Sequence, residues 1–131
     1  MKTTFKALHI FLLGAALLAL PAAVQAQFIF TTNNGTITIT QYTGSGGDVT
    51  IPDTINGLPV TTVGQTSFYQ VSSLNSVTFG TNVTTIANNA IFQCPSLASV
   101  TIPATVTNIG SGPMVDCKSL TTISVSPSNS H

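Results

Sequence analysis

A shift of 23 residues lays the chain on itself. SVTFGTNVTTIANNAIFQCPSLA (76–98) then sits on SVTIPATVTNIGSGPMVDCKSLT (99–121), matching at Ser76/Ser99, Val77/Val100, Thr78/Thr101, Val83/Val106, Ile86/Ile109, Cys94/Cys117, Ser96/Ser119 and Leu97/Leu120. An earlier copy, 48–75, is five residues longer because residues 55–59 (INGLP) stand before Val60, and a fourth copy runs from Thr122 to His131. A unit this short cannot bury its apolar face alone, so copies at a fixed period build one core by stacking.

The pattern inside a unit identifies its elements. Val100 and Ile102 flank the polar Thr101, so Val100-Thr101-Ile102 reads as a short half-buried strand closed by Pro103. Its counterparts are Val49-Thr50-Ile51, Val77-Thr78-Phe79 and Ile123-Ser124-Val125. In register these make a narrow parallel sheet with rungs ~4.8 Å apart. Thr50, Thr78, Thr101 and Ser124 then form a row of hydroxyls on its outer side, the candidate binding face. The pairs Val60/Val63, Val83/Ile86 and Val106/Ile109 predict a second short segment, extended or 3₁₀, before Phe68, Ile91 or Met114 and a closing leucine. No stretch sustains a helical period for the ten or so residues a helix needs. The expected fold is a β-rich solenoid, its array covering 48–131 with copies at 48–75, 76–98, 99–121 and a partial 122–131. Residues 27–47 form an entry segment, in which 28–31 and 36–40 pair across the Asn33-Asn34-Gly35 turn as a hairpin cap.

Residues 1–26 stand apart from this scheme. Lys2 and Lys6, the apolar run at 10–20 and the small residues of Val24-Gln25-Ala26 predict a secretory signal peptide cleaved after Ala26. The apolar run falls short of the ~20 residues of a spanning helix. Without the leader, one lysine (Lys118) faces three aspartates (Asp48, Asp53, Asp116), a formal charge of −2. Nucleic acid is excluded as a partner, because a duplex-binding surface needs a basic patch to displace counterions.

The run V-T-I-P-x-x-V-T-x-I-G, followed by a small residue, an apolar residue and then x-x-C-x-S-L, resembles the BspA-like leucine-rich repeats of bacterial surface and secreted proteins, over residues 48–125. The opening 28–64 also resembles the segment placed ahead of such arrays. Two departures concern packing: Val71 stands where a cysteine is usual, and the family's Ala-Phe pair becomes Ser67-Phe68, Ala90-Ile91 and Pro113-Met114. The resemblance implies a right-handed leucine-rich-repeat coil and a non-enzymatic exported module, secreted or at the cell surface, that binds an unidentified protein or cell-surface ligand.

Cys94 and Cys117 occupy the repeat position of Val71, which favours burial as small apolar groups. A disulfide is the alternative, since an exported chain meets oxidising conditions and coils one repeat apart bring Cα atoms within bridging range. Metal lacks ligands: zinc asks for about four, and the only other soft donor after the leader is His131. No catalytic, cofactor or metal residues are assigned. Asp48 and Asp53 flank one strand but read as turn residues bonding locally, and Gly44, Gly46 and Gly47 lack the Gly-Lys-Ser/Thr of a phosphate loop. Besides the binding module, a structural role in the envelope and carbohydrate binding stay open; the latter is weakened by the absence of Trp. At the other end, 126–131 offer no apolar residue to close the fourth coil. An uncapped edge there points to a longer repeat protein or to self-association.

Overall fold

A computed structural model describes residue 24 and residues 26–127. The predicted leader, residues 1–26, lies outside the described residues except for Val24 and Ala26. Among those residues, no helix is long and apolar enough to cross a membrane.

The chain is a β-solenoid of three faces, each of the three full coils giving one short strand to each and the partial fourth giving one to the first. The first face stacks β3 (Gly47–Thr50), β7 (Leu74–Thr78), β10 (Ser99–Ile102) and β13 (Thr122–Val125), all parallel. The second stacks β2 (Thr36–Tyr42), β5 (Leu58–Val63), β8 (Thr85–Ile86) and β11 (Asn108–Ile109). The third stacks β6 (Phe68–Tyr69), β9 (Ile91–Phe92) and β12 (Met114–Val115). The sequence pattern anticipates the first two faces. The third is a finding: where only a returning segment is expected, two residues per coil pair in register as Phe68↔Ile91↔Met114. The second segment is extended, and the three-residue spacing that suggested 3₁₀ comes from the turn before it, closed by Val83 N–H to Gly80 O at 3.1 Å and Val106 N–H to Pro103 O at 3.2 Å.

Packing follows from stacking like on like. Ile39, Val63 and Ile86 form one fully buried row, and Val77 and Val100 another, each residue set on its equivalent one coil away. Each such side chain taken from water contributes roughly 1.5–3 kcal/mol. The core reaches its limit at the far end, where Ile109 and Ile123, at the same repeat positions, are 52% and 57% exposed.

The near end is closed by β1 (Phe28–Asn33), which pairs antiparallel with β2 across Asn34-Gly35. Both turn residues have positive φ, 49° and 77°, the geometry that matches a hairpin's twist and that Asn-Gly supplies. Phe28, Tyr42 and Phe68 cluster beneath it, Tyr42 stacking on Phe68 at 5.0 Å between ring centroids. The buried Tyr42 hydroxyl accepts from Gly46 N–H at 3.1 Å, so its polar tip is satisfied. Gly46 itself has φ +90°, and a Cβ there would lie 2.8 Å from the Ser73 carbonyl oxygen, so no other residue fits.

Residues 55–59, the insertion, form a second small hairpin: β4 (Thr54–Ile55) pairs with the start of β5 across Asn56-Gly57. Ile55 is buried, so the insertion adds to the core as well as to the surface.

Each coil turns two corners in the left-handed region. One is occupied by Thr66, Asn89 and Gly112 at φ 51°, 50° and 53°, the other by Gln70, Gln93 and Asp116 at 54°, 56° and 57°. Asn, Asp and Gly adopt this region readily, whereas β-branched Thr66 does so at a cost.

Candidate functional site

Strand register brings the four hydroxyl residues of the first face into one row. Thr50 pairs with Thr78, Thr78 with Thr101, and Thr101 with Ser124. Thr50 and Ser124 are exposed and the two central threonines half-exposed. Only Thr101 and Ser124 bond to each other, Oγ to Oγ at 3.2 Å. The alternation of the strand puts Val49, Val77 and Val100 inward, so the outer row carries no packing duty.

Asp48 and Asp53 depart from the expectation of local turn bonds. Asp48 lies within β3 and accepts from the Ser76 hydroxyl at 2.8 Å. Asp53 Oδ1 accepts the Thr81 N–H at 2.6 Å, and its carbonyl accepts from Asn82 Nδ2 at 3.0 Å. Both carboxylates thus clamp the first coil to the second.

The cysteines lie on neighbouring coils just past the third face and are not joined. Cys94 is fully buried; its thiol faces the carbonyls of Phe68 and Phe92 at 3.6 and 3.7 Å. Cys117 is half-buried against the core and repeats this arrangement with Ile91 and Val115 at 4.0 and 3.7 Å. Desolvation raises the pKa of both thiols above their ordinary 9.0, outweighing the backbone bonds that lower it. They are protonated and weakly nucleophilic at neutral pH. No cluster of three or more His, Cys, Asp or Glu residues that could hold a metal occurs among the described residues.

The third face carries an arrangement absent from the sequence reading. Tyr69 is 53% exposed and stacks on Phe92 of the next coil, 5.8 Å between centroids with the planes 6° apart. At the corner beside them, Gln70 Nε2 donates to Gln93 Oε1 at 3.0 Å. Two shallow clefts border this face. One, of about 280 Å³, is lined by Gln93, Pro95, Asp116 and Lys118; the other, of about 340 Å³, by Thr40, Gln41, Thr66 and Tyr69. The signal lay in the 23-residue overlay, which sets Phe68-Tyr69-Gln70 on Ile91-Phe92-Gln93. Two-residue strands carry too little periodicity to reveal which of these side chains face outward.

A solved bacterial structure shares this architecture. Among solved structures, a leucine rich cell surface protein of Faecalibacterium prausnitzii A2-165 superposes with a TM-score of 0.66 and 37% identity, over 76% of this chain and 30% of that one. The chain therefore spans under a third of that protein's length. The T. pallidum leucine rich repeat protein aligns at 24% identity and TM-score 0.45, over 79% of this chain and 70% of its own. The pneumococcal vaccine antigen PcpA aligns at 16% and 0.49, over 77% and 36%. No curated protein matches. The family described as BspA type leucine rich repeat region (6 copies) matches residues 41–131, more than half of the chain, and with the three-faced coil and its stacked rows already described, the chain belongs to the BspA-type leucine-rich-repeat family.

Proposed function

We propose that this chain is an exported, non-enzymatic binding module that holds a protein partner at the cell surface through its β3–β7–β10–β13 face. The observation that carries this reading is the row Thr50, Thr78, Thr101 and Ser124, set one rung apart on a sheet whose inward valines pack into the core and leave the outer row free of it. Such a face accepts substitution without loss of fold, which is how repeat arrays acquire partners. The n-region, apolar run and Val24-Gln25-Ala26 site support export. The description of the F. prausnitzii protein as a cell surface protein supports the location.

A photo-crosslinking residue placed at Thr101 and, separately, at Thr85 on the second face tests the proposal against surface extracts of the producing bacterium. The expected result is a discrete adduct from Thr101 that Thr78→Lys abolishes, with none from Thr85. Equal adducts from both faces, or none, would refute it.

A further inference from the structure

The cleft between Tyr69 and β2 has a composition that the first face lacks. Phe92 covers one face of the Tyr69 ring. β6, which carries Tyr69, is the outermost strand of the third face, and the remaining cleft walls are Thr40 and Gln41 of β2 and Thr66 of the adjoining corner. Tyr69 lines the cleft and is half exposed while Phe92 stacks on one face of its ring, so the other face is the one available to a ligand. The cleft volume, about 340 Å³, lies at the small end of the roughly 300–1,000 Å³ typical of ligand sites.

The polar walls supply both halves of a hydrogen-bonding code. The Thr40 hydroxyl donates to Ile29 O at 3.1 Å and the Thr66 hydroxyl to Gln65 O at 2.8 Å, so both oxygens turn lone pairs outward as acceptors. Among the described residues, the Gln41 amide and the Tyr69 hydroxyl make no hydrogen bond and remain to donate or accept. No charged residue lines the cleft, and the one lysine outside the leader, Lys118, lines the other one. A phosphate, sulfate or carboxylate would find no cation here, and a peptide anchor would find a single ring among polar walls.

We propose that this cleft is a subsite for a neutral oligosaccharide, with one pyranose lying on the free face of Tyr69. The axial C–H groups of the sugar rest on the ring, and its vicinal hydroxyls pair with Gln41, Thr40 and Thr66, donors and acceptors alternating as a diol requires. Thr66 holds its wall position in a strained corner conformation, which fits a residue kept for contact rather than for stability. This site deepens the binding-module reading but lies on a different face from the hydroxyl row, so either can fail without the other.

The test is a glycan array probed with the full chain, displaying neutral oligosaccharides of glucose, galactose, mannose and N-acetylglucosamine beside sialylated and sulfated ones. The best neutral binder is then titrated by calorimetry. Tyr69→Ala should weaken binding about tenfold or more, and Tyr69→Phe, which keeps the ring, should stay within about threefold of the parent. Gln41→Ala should weaken it several-fold, and Thr101→Ala, on the proposed protein-binding face, should leave it unchanged. Because Tyr69 is exposed, an unaltered thermal melt of Tyr69→Ala verifies the fold. The proposal is overturned if no neutral oligosaccharide binds at millimolar concentration, if only anionic glycans bind, or if Tyr69→Phe is as weak as Tyr69→Ala. It is equally overturned if Tyr69→Ala releases a protein partner while no glycan binds.

Discussion

Individual residues bear the strain and the chemistry of this coil. Thr66, Asn89 and Gly112 occupy one corner with nearly the same φ, yet only Thr66 carries a branched Cβ into the left-handed region. Thr66→Asn, the residue of the next coil, should raise stability by about 1 kcal/mol, read from urea denaturation, by relieving that conformation. The buried thiols act in the opposite direction as pH rises. Their pKa values are raised on folding, so the folded state binds the proton more tightly than the unfolded one. The stability they lend is complete below the unfolded value and declines as pH climbs through the folded value, above about 9. In the double variant Cys94→Val with Cys117→Val, this alkaline decline should flatten. Melting temperatures between pH 7 and pH 10 give the comparison, and an unchanged slope would contradict the thiol origin.

At the scale of strands, repeat position and burial separate. Ile86 in β8 and Ile109 in β11 are registered partners with the same sequence role, but Ile86 has a coil on each side while Ile109 is half-exposed. Ile86→Ala should therefore cost about 2–5 kcal/mol, the price of a cavity in a packed row. Ile109→Ala should cost only about 1 kcal/mol, since most of the transfer gain was never realised. Equal losses at the two sites would mean that the second face packs more evenly than its exposures indicate. The same logic explains why Asp48 and Asp53 reach into the following coil: hydrogen-bond partners in a solenoid lie one turn away, nearer in space than most residues of the same turn.

For the molecule as a whole, the two ends of the described coil are unlike. The hairpin and the Phe28, Tyr42 and Phe68 cluster close one end. At the other, Ile109 on the edge strand β11 and Ile123 and Val125 on the edge strand β13 are more than half exposed, among the described residues. Open parallel edges with apolar side chains recruit further strands. A polypeptide of residues 27–131 should thus associate with rising concentration, and Ile123→Thr with Val125→Thr should shift it toward monomer, since threonine keeps strand propensity while removing apolar surface. Light scattering after size exclusion measures both; a concentration-independent monomer in the parent chain would show that this edge is not adhesive.

What the sequence by itself determined is the coil. A 23-residue shift, the alternation at Val100-Thr101-Ile102 and the Asn34-Gly35 turn are local signals, and they specified the stacking, the inward valines, the outward hydroxyl row and the capping hairpin. The position of Cys94 as a buried equivalent of Val71 follows from the same overlay. Tertiary structure alone decided the third face, the left-handed corners and the partners of Asp48 and Asp53. Two-residue strands have no period to read, and their pairing is stabilised by the neighbouring coils rather than by their own sequence. The Tyr69 platform belongs with these, because stacking on Phe92 joins residues 23 apart and only the closed coil shows that the stacked Tyr69 stays half exposed.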